Sequence, residues 1–171
     1  MVHPLCFDPH PVLRMKAQPI AAFTNELRRF LSDLIETMYA NDGVGLAAPQ
    51  VGRDIQAFVA NPSQERGQEL VIVNPTLERA DGRASILEGC LSLPDRWARV
   101  RRANRVRLCG QDAAGRPVVI DAEGLLAIVL QHEFDHLQGR LFIDRVSWIR
   151  RMLLQARAHR RAGSASCASS S

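Results

Sequence analysis

Residues 121–139 read DAEGLLAIVLQHEFDHLQG, and the organisation of the chain follows from this stretch. The spacing predicts a helix from about Asp121, an N-cap residue type, to Gln138, with Gly139 closing it. His132 and His136 stand four residues apart, so one helical face presents both imidazoles to a single metal ion. Glu133 lies between them, where its carboxylate can act on a water at that metal as a general base. The face leading to the histidines carries Leu125, Ile128 and Val129. Charged groups beside such a wall are costly to bury and need a partner or a purpose.

Two histidines leave a third ligand to find. A metzincin protease would continue HExxHxxGxxH, but this run has Phe142 where the last histidine belongs. A gluzincin would supply a glutamate downstream, and Glu133 is the last glutamate of the chain. The remaining candidate lies upstream, in EGCLSLP at 88–94. Cys90 is a soft thiolate donor beside Gly89, whose missing side chain lets the backbone approach a ligand closely. Two histidines and a thiolate leave the fourth position open for water, as in a catalytic site, and a thiolate also suits ferrous iron. Cys6, Cys109 and Cys167 are weaker competitors, near the amino terminus, in a strand and in the tail. A third stretch, GVGLAAPQ at 43–50, reads as a loop of small residues ending in the side-chain amide of Gln50. An ordinary helix-to-strand turn would explain its glycines but not the terminal glutamine.

Further out, Leu27, Phe30, Leu31, Leu34, Ile35 and Met38 recur at helical spacing, predicting a helix over 25–40 with Thr24 as cap and Asn41 to Gly43 as stop. Residues 56–60, 70–73, 106–109 and 117–120 read as strands, with turns at 80–82 and 112–115. Their alternation and short connections favour antiparallel pairing. A last helix follows Ser147, with Trp148, Ile149, Met152, Leu153 and Ala156 on one side and arginines on the other. The tail from 163 to 171 is small and polar and is expected to be disordered. The expected fold class is α+β: antiparallel sheets around a central helix bearing the HExxH motif, with an N-terminal and a C-terminal helix.

At 171 residues, with 46% apolar and 23% charged residues, the chain fits one globular domain over 1–171. The longest apolar run, Leu125 to Leu130, is far below the roughly 20 residues of a membrane span. No secretory or transit signal is legible in the opening residues, so the expected location is the cytoplasm, with an organelle interior also compatible. The four scattered cysteines then read as reduced thiols. Net charge is +4, and 21 of the 22 basic residues are arginine. Residues 96–107 and 145–161 hold six arginines each and no acid, leaving ten basic against eighteen acidic residues elsewhere. Such segments fit contact with a polyanion such as RNA, or a solvated face.

GVGLAAPQ, EGCLSLP and QHEFDH, in this order, resemble the three signature motifs of the peptide deformylases. DPHPVLR at 8–14 is similar to that family's amino-terminal stretch, and the resemblance runs from about residue 7 to residue 158. It implies removal of the formyl group from the initiator N-formylmethionine of nascent polypeptides, releasing formate. Carried over by position, Cys90, His132 and His136 bind one divalent metal, ferrous iron in the cell with zinc or nickel able to occupy the site, and Glu133 handles the proton. Gln50 and the backbone N–H of Leu91 match the groups that hold the formyl oxygen. Val44 and Gly45 match the backbone that pairs with the extended peptide. Ile86, Leu125, Ile128 and Val129 match the pocket for the methionine side chain.

Arg96 and Trp97 follow the second motif beside the peptide exit, where the family varies. Glu88 and Arg102 can pair behind the site or be solvated at the surface. The resemblance also implies ribosome contact through the arginine-rich C-terminal helix; no membrane or DNA partner is expected. Two other readings stand beside it. One is an HExxH peptidase. The other is a non-catalytic ribosome- or RNA-binding protein with a structural metal.

Overall fold

The computed structural model describes residues 1–154. It is a mixed arrangement of helices and antiparallel sheet. The first helix, α1 (Asn25–Ala40), has the expected bounds, and the Thr24 side chain accepts from the Leu27 N–H at its start. Five strands, β1 (Gly45–Ala47), β2 (Ala57–Ala60), β3 (Leu70–Asp81), β6 (Arg105–Gln111) and β7 (Pro117–Glu123), form one antiparallel sheet in the order β1-β2-β3-β6-β7. Between β3 and β6 the chain makes a separate hairpin, β4 (Ala84–Cys90) and β5 (Leu93–Arg102). The second long helix, α2, spans Gly124–Leu137.

Three expectations are corrected. The helix bearing the histidines begins at Gly124 rather than Asp121, because 117–123 are claimed by β7, whose Asp121 pairs with Arg107 across the sheet. GVGLAAPQ is not a plain loop: Gly45–Ala47 form β1 and Ala48–Val51 a 3-10 turn. The second motif lies in a hairpin that local pattern left unassigned, because five of the ten residues of β5 are charged and two of them, Arg96 and Arg102, stand on the inward side of the alternation.

Alternation in β2 explains the layering. Phe58 and Ala60 face one side, packing with Ala127, Leu130 and Leu137 of α2, whereas Ala57 and Val59 face the other, packing with Leu27, Leu31 and Leu34 of α1. A strand covered on both faces has no solvent side, hence the unbroken apolar sequence AFVA. The hairpin is anchored through a third cluster, in which Leu93, Ala98 and Val100 meet Val12 and Leu13 near the amino terminus and Phe142 beyond α2.

Residues 148–154 are helical, as expected after Ser147, and Trp148, Ile149, Met152 and Leu153 are exposed. Ala156, Arg157, Arg160, Arg161, Cys167 and the tail expected to be disordered lie outside the described residues. Among the described residues no helix is long and apolar enough to cross a membrane.

Candidate active site

α2 delivers His132 and His136 one turn apart, their ring centroids 5.0 Å apart. The hairpin brings Cys90 against them: its Sγ lies 3.3 Å from His136 Nε2, and one ligand atom from each of the three residues falls within 4.8 Å of the others. Cys6 and Cys109 take no part in this group, and neither forms a disulfide. The bulge between Glu88 and Cys90 accompanies the turn of the cysteine toward the helix.

Behind the triad runs a buried chain of charges. His132 Nδ1 meets Glu88 Oε2 at 2.9 Å, and Arg102 grips both Glu88 oxygens at 2.7 and 2.8 Å. Arg102 also donates to Asp135 Oδ2 at 2.6 Å, and Arg145 holds the same carboxylate from the other side through both oxygens. Of the two sequence readings of Glu88 and Arg102, the paired one is correct. Asp135 and Arg145 were not anticipated as members. The available signal was the acid of HEFDH, three residues after His132 on an otherwise buried face.

Burial by itself would raise the Glu88 pKa, but its hydrogen bonds to Arg102 and His132 outweigh that and bring it to about 2. For His132, burial opposes the charged form, yet hydrogen bonds to Cys90 and Glu88 hold its pKa well above the ordinary value. His136 is pushed the other way, by burial and by the charge on His132.

Glu133 is buried and its Oε2 has no hydrogen-bond partner. Burial raises its pKa to about 7, against the pull of His132 and Arg102. Its other oxygen faces the β1 backbone, where a Cβ at Gly45 would stand only 2.5 Å from Oε1. Gln50 is fixed by its own carbonyl, which accepts from the Ala47 N–H at 2.8 Å. Its amide nitrogen therefore points to the cysteine, donating to Cys90 Sγ at 3.5 Å and to Ser92 Oγ at 3.3 Å.

These groups border one apolar cavity of about 480 Å³. Val44, Gly45, Ile86, Leu125, Ile128 and Val129 all line it, as do Gln50, Gly89, Cys90, Leu91, His132 and Glu133. Leu125 is half exposed at the rim, whereas Ile128 and Val129 are buried. His136 stands outside the lining, one turn deeper on α2. The three sequence segments thus meet at one wall-to-wall site although they lie on different elements.

A family model described as polypeptide deformylase matches residues 2–152. The chain belongs to this family. A peptide deformylase of Wolinella succinogenes is 47% identical over 153 residues, 86% of this chain and 90% of the relative. One from Brucella suis is 44% identical, over 88% and 87%. Among solved structures, a peptide deformylase from Legionella pneumophila superposes with a TM-score of 0.90 at 36% identity, covering 96% of this chain and 98% of that one. The Thermus thermophilus deformylase gives 0.86 at 40% identity, over 92% and 93%.

Proposed function

We propose that this deformylase hydrolyses the N-formyl group of formylmethionyl nascent peptides, with Cys90, His132 and His136 holding one divalent cation and Glu133 moving the proton. The observation that carries the reading is the pairing of that open three-ligand group with a buried carboxylate whose second oxygen is unpartnered, in the wall of an apolar cavity. The donor set suits such an ion: one soft sulfur, two imidazoles, and a carboxylate behind His132 that orients its ring. Ferrous iron is the first candidate and zinc or nickel the next. When bound, the cation supplies Lewis-acid polarisation and makes water a nucleophile at neutral pH.

The chain's own residues do the rest. The methionine side chain enters between Ile86, Leu125, Ile128 and Val129, and the extended peptide lies along the backbone of Val44 and Gly45. Glu133 removes a proton from the attacking water and returns it to the leaving amine, a task suited to a carboxyl whose pKa lies near neutrality. The Gln50 amide and the Leu91 N–H donate to the oxyanion as it forms. Gln50→Ala is expected to lower kcat by roughly 10² with little change in KM, as loss of one oxyanion donor does. Gly45→Ala places a methyl against Glu133 Oε1, and a displaced base lowers kcat roughly 10–10²-fold. Metal content measured beside the rates should be unchanged in both.

Formate release from a formyl-Met-Ala peptide by anaerobically prepared, iron- or nickel-loaded protein tests the reading. Activity that survives a chelator or Glu133→Ala would defeat the mechanism, and cleavage of unformylated peptides would favour a peptidase. The single domain, a cytoplasmic location and ribosome contact through the C-terminal arginines belong to the same proposal. The last predicts loss of ribosome co-sedimentation when Arg150, Arg151 and Arg157 become glutamate.

A further inference from the structure

The fold sorts the arginines of 96–107 into two populations. Arg102 is spent on Glu88 and Asp135, Arg96 meets Asp8 at 3.0 Å, and Arg107 reaches Glu78 and Asp121. Arg99 and Arg101 have no carboxylate partner among the described residues. In β5 they alternate with buried Ala98 and Val100, so both stand on the open face of the hairpin together with Trp97, which is 62% exposed. Opposite them on β4 are Leu87 and Ser85, also exposed, and Arg83 precedes that strand, again exposed and without an acid partner.

This face joins two concavities. Leu87 and Trp97 reach the rim of the substrate cavity at one end. At the other end, Arg83 and Arg101 border a second, open cleft of about 830 Å³, whose lining also includes Phe134, Arg140 and Arg145. The one carboxylate in its lining, Asp135, is already neutralised by Arg102 and Arg145. Residues from both arginine-rich segments, far apart in sequence, therefore converge on one groove, whereas the rest of the chain is net acidic.

We propose that the open face of the β4–β5 hairpin, from Trp97 through Arg99 and Arg101 to Arg83 and Arg140, binds single-stranded RNA. Unpaired guanidinium forks match phosphate oxygens, and their spread along a strand suits a chain of phosphates better than one anion. Trp97 adds what a plain anion does not need. Its indole is seated on Gly89, where a Cβ would come within 2.7 Å of the ring, and the remainder is free to stack on an unpaired base. The acidic remainder of the surface repels a polyanion and so directs it to this face.

The test uses metal-loaded full-length protein and a short fluorescein-labelled oligouridylate, followed by fluorescence anisotropy over a salt series. Binding is expected, with tryptophan quenching that Trp97→Leu removes. The double variant Arg99→Ser/Arg101→Ser should weaken binding and lower the log–log salt slope by about 1.4, near 0.7 for each lost phosphate contact. It should leave deformylation of a short formylmethionyl peptide unchanged. Arg28→Ser/Arg29→Ser, which removes the same charge from the exposed side of α1, should bind as the wild type does. Equal losses in the two double variants, an unaltered salt slope, absence of binding at low salt, or equal competition by oligoglutamate would each overturn the proposal.

Discussion

Replacing Glu133 by glutamine should lower kcat by roughly 10²–10⁴, the usual worth of a positioned general acid–base group. Glutamine keeps the shape that fits beside Gly45 and β1 but can neither take nor return a proton. The same substitution should stabilise the metal-free protein. Burial raises the Glu133 pKa to about 7, above its unfolded value. The folded state then keeps a proton that the unfolded chain gives up as pH rises, so stability falls between about pH 4.5 and 7 and stays low above that. At pH 8 the glutamine variant should therefore be more stable by about 3 kcal/mol, the 1.4 kcal/mol of each pKa unit taken over the rise from about 4.5 to about 7. Thermal unfolding of both apo-proteins across that range, with rates on the loaded enzymes, checks the pair of effects. A loss of activity accompanied by a loss of stability would mean that the variant is misfolded and that the carboxylate is structural.

Arg102→Met should cost about 3–5 kcal/mol of stability at neutral pH, because it removes the guanidinium that bridges two buried carboxylates and leaves Glu88 with His132 as its remaining partner, while Asp135 keeps Arg145. Glu88 titrates at about 2 in the folded protein, below its unfolded value. Its contribution is present above about pH 4.5 and is lost as pH falls toward 2. Without Arg102 the Glu88 carboxyl takes up its proton at milder pH, which relieves the uncompensated charge. The deficit of the variant should thus shrink from pH 8 to pH 4, and differential scanning calorimetry at several pH values reads it directly. Metal affinity should fall by 10–100-fold as well, since Glu88 then holds the His132 ring less firmly. A deficit that does not depend on pH would assign Arg102 to packing alone.

Both experiments concern groups that were legible to different degrees. Glu133 and the histidines announce themselves through helical spacing, because i and i+4 share a face whatever surrounds the helix. Cys90 was reachable by elimination among four cysteines once two ligands were known. The four strands that sequence pattern located were found in place, β3 running well past its expected end because it goes on pairing with β6, through two register shifts, where its residues are mostly exposed. The hairpin that carries Cys90 was not found. Its apolar positions pack on the amino terminus and on the turn after α2, contacts that no local window contains.

The charges show the same division. Counting arginines along the chain marks two basic segments but cannot say which of them are free. Arg102 is buried in a pair of carboxylates, while Arg101 beside it faces water, a difference of one residue that a strand converts into opposite faces. Nor could spacing reveal that Arg145 would close over Asp135, or that Gly45 must lack a side chain because Glu133 lies against it.

Sequence alone determined the ligand residue types, the helix that carries two of them, the layered apolar strands and the family resemblance, all of which follow from periodicity and from short motifs whose residues are neighbours in the chain. The tertiary structure decided the rest: the convergence of the three motifs on one cavity, the ion chain from His132 to Arg145, and the sorting of arginines into paired and unpaired. Those depend on distances between segments many residues apart, and such distances are set by how β2 is sandwiched between α1 and α2 and how the hairpin folds down beside them.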